Sequence, residues 1–129
     1  MIRRLVAVCV IAAGVLGACA APRQTLGTRS SLCFRSLPTA SAAVHQHGHL
    51  LGVRQVGRAH VLRVFPQAEL PPGRYFCAVG FSDDFQSAQV DAPAGAPAGK
   101  YALVVVTVRG TTVVRTYLLD RLPFALRHP

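Results

Sequence analysis

A small all-β domain, a sandwich or barrel-like arrangement of about five or six short strands with room for one short helix, is the fold class this sequence predicts. Three observations point to it. Residues 101–108 and 111–119 are rich in Val, Thr and Tyr and flank Arg109-Gly110, the pattern of a tight hairpin. Leu70-Pro71-Pro72-Gly73 is strong turn punctuation and opens the apolar run Arg74-Tyr75-Phe76-Cys77-Ala78-Val79-Gly80-Phe81. Val104-Val105-Val106 lacks polar alternation, so its strand is expected to be buried on both faces.

The elements follow in order. Residues 36–44 are small, carry Pro38 early and have a serine at the start, which predicts a short helix. Residues 50–56 and 59–65 are β-prone runs around Gly57-Arg58 and predict a hairpin with a type II′ turn. A strand is expected over 74–81, then a polar corner at Ser82-Asp83-Asp84-Phe85-Gln86. The tandem Ala92-Pro93-Ala94-Gly95 and Ala96-Pro97-Ala98-Gly99 is too dense in Pro and Gly for a sheet interior, so it reads as an exposed loop. The final hairpin follows. The apolar piece Leu122-Pro123-Phe124-Ala125-Leu126 is expected to pack back on the domain, and the strand aromatics to fill its core.

The N-terminus has a different logic. Arg3-Arg4 is basic, residues 5–16 form an apolar run of about a dozen positions, and a membrane-spanning helix needs roughly 20. Gly17 and Ala18 then lead to Cys19. This is the layout of a secretory signal. Leu16-Gly17-Ala18-Cys19 resembles the lipobox of bacterial lipoproteins. The resemblance covers only the first 19 positions and implies cleavage before Cys19, a diacylated Cys19 thiol and acylation of the new N-terminus. Ala20, where an aspartate often retains such proteins in the inner membrane, points to the outer membrane in a cell that has two. The expected organisation is a signal peptide over 1–18, a flexible polar tether over 19–31 and one β-rich domain over 32–129.

On that organisation the cysteines separate. Cys9 leaves with the signal, Cys19 takes the lipid, and Cys33 and Cys77 remain as a disulfide pair in an oxidising compartment. Closing a loop of about 45 residues stabilises by roughly 4 kcal/mol in the chain-entropy model. The mature chain keeps 12 Lys and Arg against five acids, a net charge near +7 with histidine neutral. Such a surface attracts anionic lipid or acidic polysaccharide. Nucleic acid, the usual partner of so basic a chain, is not expected for an exported, membrane-held protein.

Two sets of residues bear on chemistry. His45, His47 and His49 alternate, so on an extended segment they share one face and could approach Zn or Cu, with His60 or His128 as a fourth ligand. On a helix only His45 and His49 would do so. The acids Glu69, Asp83, Asp84, Asp91 and Asp120 form no paired acid/base spacing. No nucleophile elbow, phosphate-binding glycine loop, HExxH or CxxC motif occurs. The expectation is therefore a non-catalytic envelope lipoprotein without a required cofactor, held to the membrane by lipid. It would dock on an envelope protein partner or help assemble a larger structure. Metal capture by the three histidines is the alternative.

Overall fold

Four strands form one antiparallel sheet whose spatial order is the order of the chain. The structure is a computed structural model and describes residues 29–109 and 112–126. The sequence of elements is a 3₁₀ segment (Arg29–Ser36), α1 (Leu37–Ala43), β1 (His49–Gly57), α2 (Arg58–Val64) and β2 (Tyr75–Phe85). A single 3₁₀ turn (Ser87–Gln89), β3 (Gly99–Thr107) and β4 (Val113–Leu119) complete it. The signal peptide, Cys19 and the tether as far as residue 28 lie outside the described residues. Of the expected tether, residues 29–31 belong to the 3₁₀ segment.

The mostly-β character is as the sequence predicts. The strand count is lower, four rather than five or six. The difference lies at 58–64, where the expected second arm of a hairpin is instead α2. A type II′ turn needs positive φ at its first central residue. Gly57 has φ −75° and ψ 150°, so β1 simply runs through it and the chain then lifts off the sheet. In helical spacing Val61, Val64 and Phe65 fall on one side, and all three pack into the apolar cluster beneath. The partner of β1 is β2, with Val53 opposite Val79 and Gly57 opposite Tyr75.

Strands alternate side chains between faces, and here both faces are apolar. Cys77, Val79, Phe81, Ala102, Val104 and Val106 point to one side, where Val53 and Leu118 join them. Phe76, Ala78, Leu103 and Val105 point to the other, with Val56 and Phe124. Val104, Val105 and Val106 are all buried, the two-faced burial that their lack of alternation predicts.

Each face has its own cover. The first is closed by the 3₁₀ segment and α1, whose Ala40, Ala43 and Val44 are buried against the sheet. The Cys33–Cys77 disulfide ties this cover to β2, with Cα atoms 5.4 Å apart. In the 3₁₀ segment residues three apart share a side. Cys33 and Ser36 therefore both turn inward, and the Ser36 hydroxyl donates to the Cys33 carbonyl. Leu32 and Phe34 face out.

The second face is closed by α2, the loop after it and the C-terminal piece 122–126. That piece packs back on the domain as expected, placing Phe124 in the core. Arg58 organises the loop: its guanidinium donates to the carbonyls of Leu70 (3.2 Å) and Pro71 (2.7 Å).

The expected polar corner at 82–86 is part of β2. A bulge between Ser82 and Phe85 absorbs the two aspartates, and Phe85 returns to the core. The 93–98 stretch is a loop, as its composition predicts. No helix among the described residues is long and apolar enough to cross a membrane.

Among the glycines that neighbours approach closely, Gly99 and Gly80 differ in what the neighbour is. A Cβ on Gly99 would lie 2.6 Å from the Leu119 nitrogen and 2.7 Å from its carbonyl oxygen, backbone held by the β3–β4 ladder. A Cβ on Gly80 would meet the tip of the Leu126 side chain, which can rotate away. Gly99→Ala should therefore destabilise the fold by about 3 kcal/mol, and Gly80→Ala by about 1 kcal/mol. Denaturant titration of both variants measures this; equal losses would show that the β3–β4 crossing yields as readily as a side-chain tip.

Candidate functional site

The histidine-rich segment turns where an extended strand would have been needed. α1 ends at Ala43, and His45 and Gln46 adopt positive φ values of 52° and 62°. The His45 and Gln46 amides donate to the Ala42 and Ser41 carbonyls, closing the helix end. This reversal breaks the alternation on which a shared face depended. His45 instead pairs with Asp91, Nε2 to Oδ1 at 2.8 Å, while the Asp91 amide donates to the Ala43 carbonyl. His47 is exposed, and His49 is the first residue of β1, opposite Ser82.

His60 lies on α2, edge-to-face with Phe124 at 5.1 Å. His128 lies outside the described residues. Among the described residues no group of three or more His, Cys, Asp or Glu is placed to hold a metal ion. The three histidines are thus neighbours in sequence that the helix end and the strand start send to different tasks.

A different grouping emerges at the other end of the strands. Antiparallel pairing puts the start of β2 beside the end of β3, with Phe76 opposite Thr107. Arg74 and Tyr75 therefore come to lie near Val108 and Arg109. The 3₁₀ segment, pinned to Cys77, brings Leu32 to the same place. Together they line a cleft of about 590 Å³. Leu32 and Tyr75 are two of the three large hydrophobic side chains left exposed among the described residues, at 49% and 41%.

Both arginines of this cleft are exposed, and no acid lines it. Among the described residues neither guanidinium is paired with a carboxylate. The amide oxygen of Gln55, also in the lining, is buried without a hydrogen-bond partner among the described residues. Asp83, Asp84 and Asp120 stand at the opposite end of the sheet, around the junction of Phe85 with Gly99. The sheet is thus basic and apolar at one end and carries its acids at the other.

Sequence reasoning missed this cleft because its residues are spread from 32 to 112. The available signal was the register of the 74–81 and 101–108 strands. Pairing them antiparallel already brings Arg74-Tyr75 next to Val108-Arg109.

A second, shallower hollow of about 380 Å³ lies between the loop after α2 and β4. Phe65 stacks flat on Tyr117, centroids 3.8 Å apart, and Arg115 reaches over the same ring. Burial raises the Tyr117 phenol above its ordinary value, partly countered by the positive charge of Arg115.

Comparison of the chain with protein-family models, with curated proteins and with solved structures finds no match.

The Tyr117 environment makes a prediction about alkaline stability. A phenol whose pKa is raised on folding favours the protonated form in the native state. Its contribution is present below the ordinary phenol value and is lost as pH climbs through the raised one. The midpoint of thermal unfolding should therefore fall as pH rises above about 10, and Tyr117→Phe should flatten part of that fall. Melting curves at stepped alkaline pH test it; identical slopes for the two proteins would rule out the contribution.

Proposed function

We propose that this protein is a non-catalytic lipoprotein of the bacterial cell envelope. It is held to the membrane by acyl chains on Cys19 and acts by docking its β-domain on a larger envelope assembly. The observation that carries the reading is the buried Cys33–Cys77 disulfide. Such bonds persist in oxidising compartments and are rare in a reducing cytoplasm. A domain built around one therefore fits a chain that begins with an export signal. The bond also removes the only other cysteines of the mature chain, so Cys19 is the thiol left for lipid.

The remaining features agree. Two or three acyl chains anchor stably, because each buried methylene contributes about 0.8 kcal/mol and one chain alone is marginal. The basic mature chain suits the anionic surfaces of an envelope. An accessory that docks needs a small rigid domain with an exposed surface. The described domain, one sheet covered on both faces and braced by a disulfide, is of that kind.

Two measurements test the proposal. Cys19→Ala should abolish labelling by a palmitate analogue, and the mature chain without lipid should leave the membrane fraction in a high-salt wash; a Cys19→Ala variant still labelled would overturn the anchor. Crosslinking in intact cells followed by mass spectrometry should recover a defined envelope protein joined to residues of the 32–126 domain. Recovery of the chain alone would count against docking on an assembly.

A further inference from the structure

We infer that the cleft between Leu32, Arg74, Tyr75, Val108 and Arg109 seats the domain on the anionic headgroups of the membrane that holds Cys19. The strands then stand on the bilayer with their acidic end outward. This rests on the lipid-anchored reading above and adds to it an orientation and a contact surface.

Three observations converge on a lipid surface as the occupant. The first is where the chain enters the fold. Leu32 lines the cleft and lies three residues after Arg29, the first described position. The nine residues between Cys19 and Arg29 extend to at most about 35 Å. β2, with 11 residues, is itself about 33 Å long. A lipid on Cys19 therefore holds the cleft end close to the bilayer, whereas the far end can reach it only with the tether almost fully drawn out.

The second is charge. Arg74 and Arg109 line the cleft with no acid beside them, while Asp83, Asp84 and Asp120 lie at the far end with Lys100 among them. An anionic surface attracts the first end more strongly than the second, which sets a direction. The third is the apolar content. Tyr75 and Leu32 are half-exposed beside the two arginines. An amphipathic ring and long cationic side chains around an aliphatic group suit the headgroup boundary, where one part is wet and the other is not. Each contact is weak. Tethering compensates, because a short covalent link raises the local concentration of the surface to the millimolar range.

The chain contains no tryptophan, so single reporters can be placed cleanly. The mature lipidated chain carrying Tyr75→Trp, or Tyr101→Trp at the acidic end, is reconstituted in vesicles of phosphatidylcholine with or without phosphatidylglycerol. Bromine on the acyl chains quenches an indole that enters the boundary. The Tyr75→Trp protein should be quenched in phosphatidylglycerol vesicles and regain its emission at high salt. It should also regain emission when Arg74→Ala and Arg109→Ala are added. Tyr101→Trp should stay unquenched. Equal quenching at both ends, or a Tyr75→Trp protein that is membrane-bound but unquenched, would overturn the orientation while leaving the anchor intact. So would an indole already shielded without vesicles, which would mean that protein fills the cleft.

A second measurement separates the cleft from the anchor. The mature chain with Cys19→Ala, free of lipid and of residues 1–18, should still sediment with phosphatidylglycerol vesicles at low salt. Arg74→Ala with Arg109→Ala should weaken that partition about 25-fold, about fivefold for each arginine. An unchanged partition would overturn the cleft as the lipid-binding surface, whatever the state of Cys19.

Discussion

The central pair of strands, β2 and β3, is apolar on both faces, and the rest of the molecule answers that constraint. The four-stranded sheet is open and does not close on itself, so neither face is buried by the sheet alone. It must be covered twice. One cover comes from the chain before β1, the other from the chain between β1 and β2 together with the tail after β4. Both are built from pieces too short to be stable alone: α1 and α2 have seven residues each, and isolated helices below about 12 residues are marginal in water. Their stability is borrowed from the sheet. The disulfide fastens the first cover, and the Arg58 guanidinium, spread over loop carbonyls, gathers the second.

Covering the faces leaves the ends of the strands, and there the molecule is asymmetric. At the Gly57–Tyr75 end the cover on the first face stops at the 3₁₀ segment, whose inward side is spent on Cys33 and Ser36. Leu32 is left outside as a consequence of 3₁₀ spacing, not of a deficient core. At the other end Phe85 turns back into the core past a bulge, and Asp83 and Asp84 are pushed outward. The start of β2 therefore lies at an apolar rim with Arg74 and Arg109, and its bulged end at a rim that carries the aspartates beside Lys100.

Much of this is legible in the chain, for identifiable reasons. Val104-Val105-Val106 announces two-faced burial because no polar residue interrupts it, and the Leu70-Pro71-Pro72-Gly73 turn marks the entry to β2 within one residue. Cys33 and Cys77 could be paired by elimination once Cys9 and Cys19 had been assigned to the signal and the lipid. What misleads is local. The 59–65 run is rich in β-branched residues, yet a helix satisfies its apolar positions equally well at three- and four-residue spacing. What decides the matter is the uncovered second face of the sheet, where the helix buries Val61 and packs Val64 and Phe65, and that is a property of the whole sheet. The histidines mislead in the opposite way: their spacing is informative only if the backbone is extended, and the end of α1 imposes a left-handed reversal at His45 and Gln46. The cleft was illegible because it is assembled by register, from residues no local pattern connects.

The disulfide has a further role once the chain is considered as tethered. A lipid anchor constrains a domain only as firmly as the last ordered point of the linker is fixed to the body. Without the bond, the 3₁₀ segment would be held by few buried side chains, chiefly Ser36, and the domain could swivel about α1. With it, the chain is secured at Cys33 to the third residue of β2, one position beyond Leu32 and two from Tyr75. The entry point and the basic rim are therefore parts of one rigid body. Under the proposed lipid anchor, an attraction acting through the preceding chain would be delivered to the central strand at that rim, and the bond that covers one face of the sheet would also set which end of it faces the membrane.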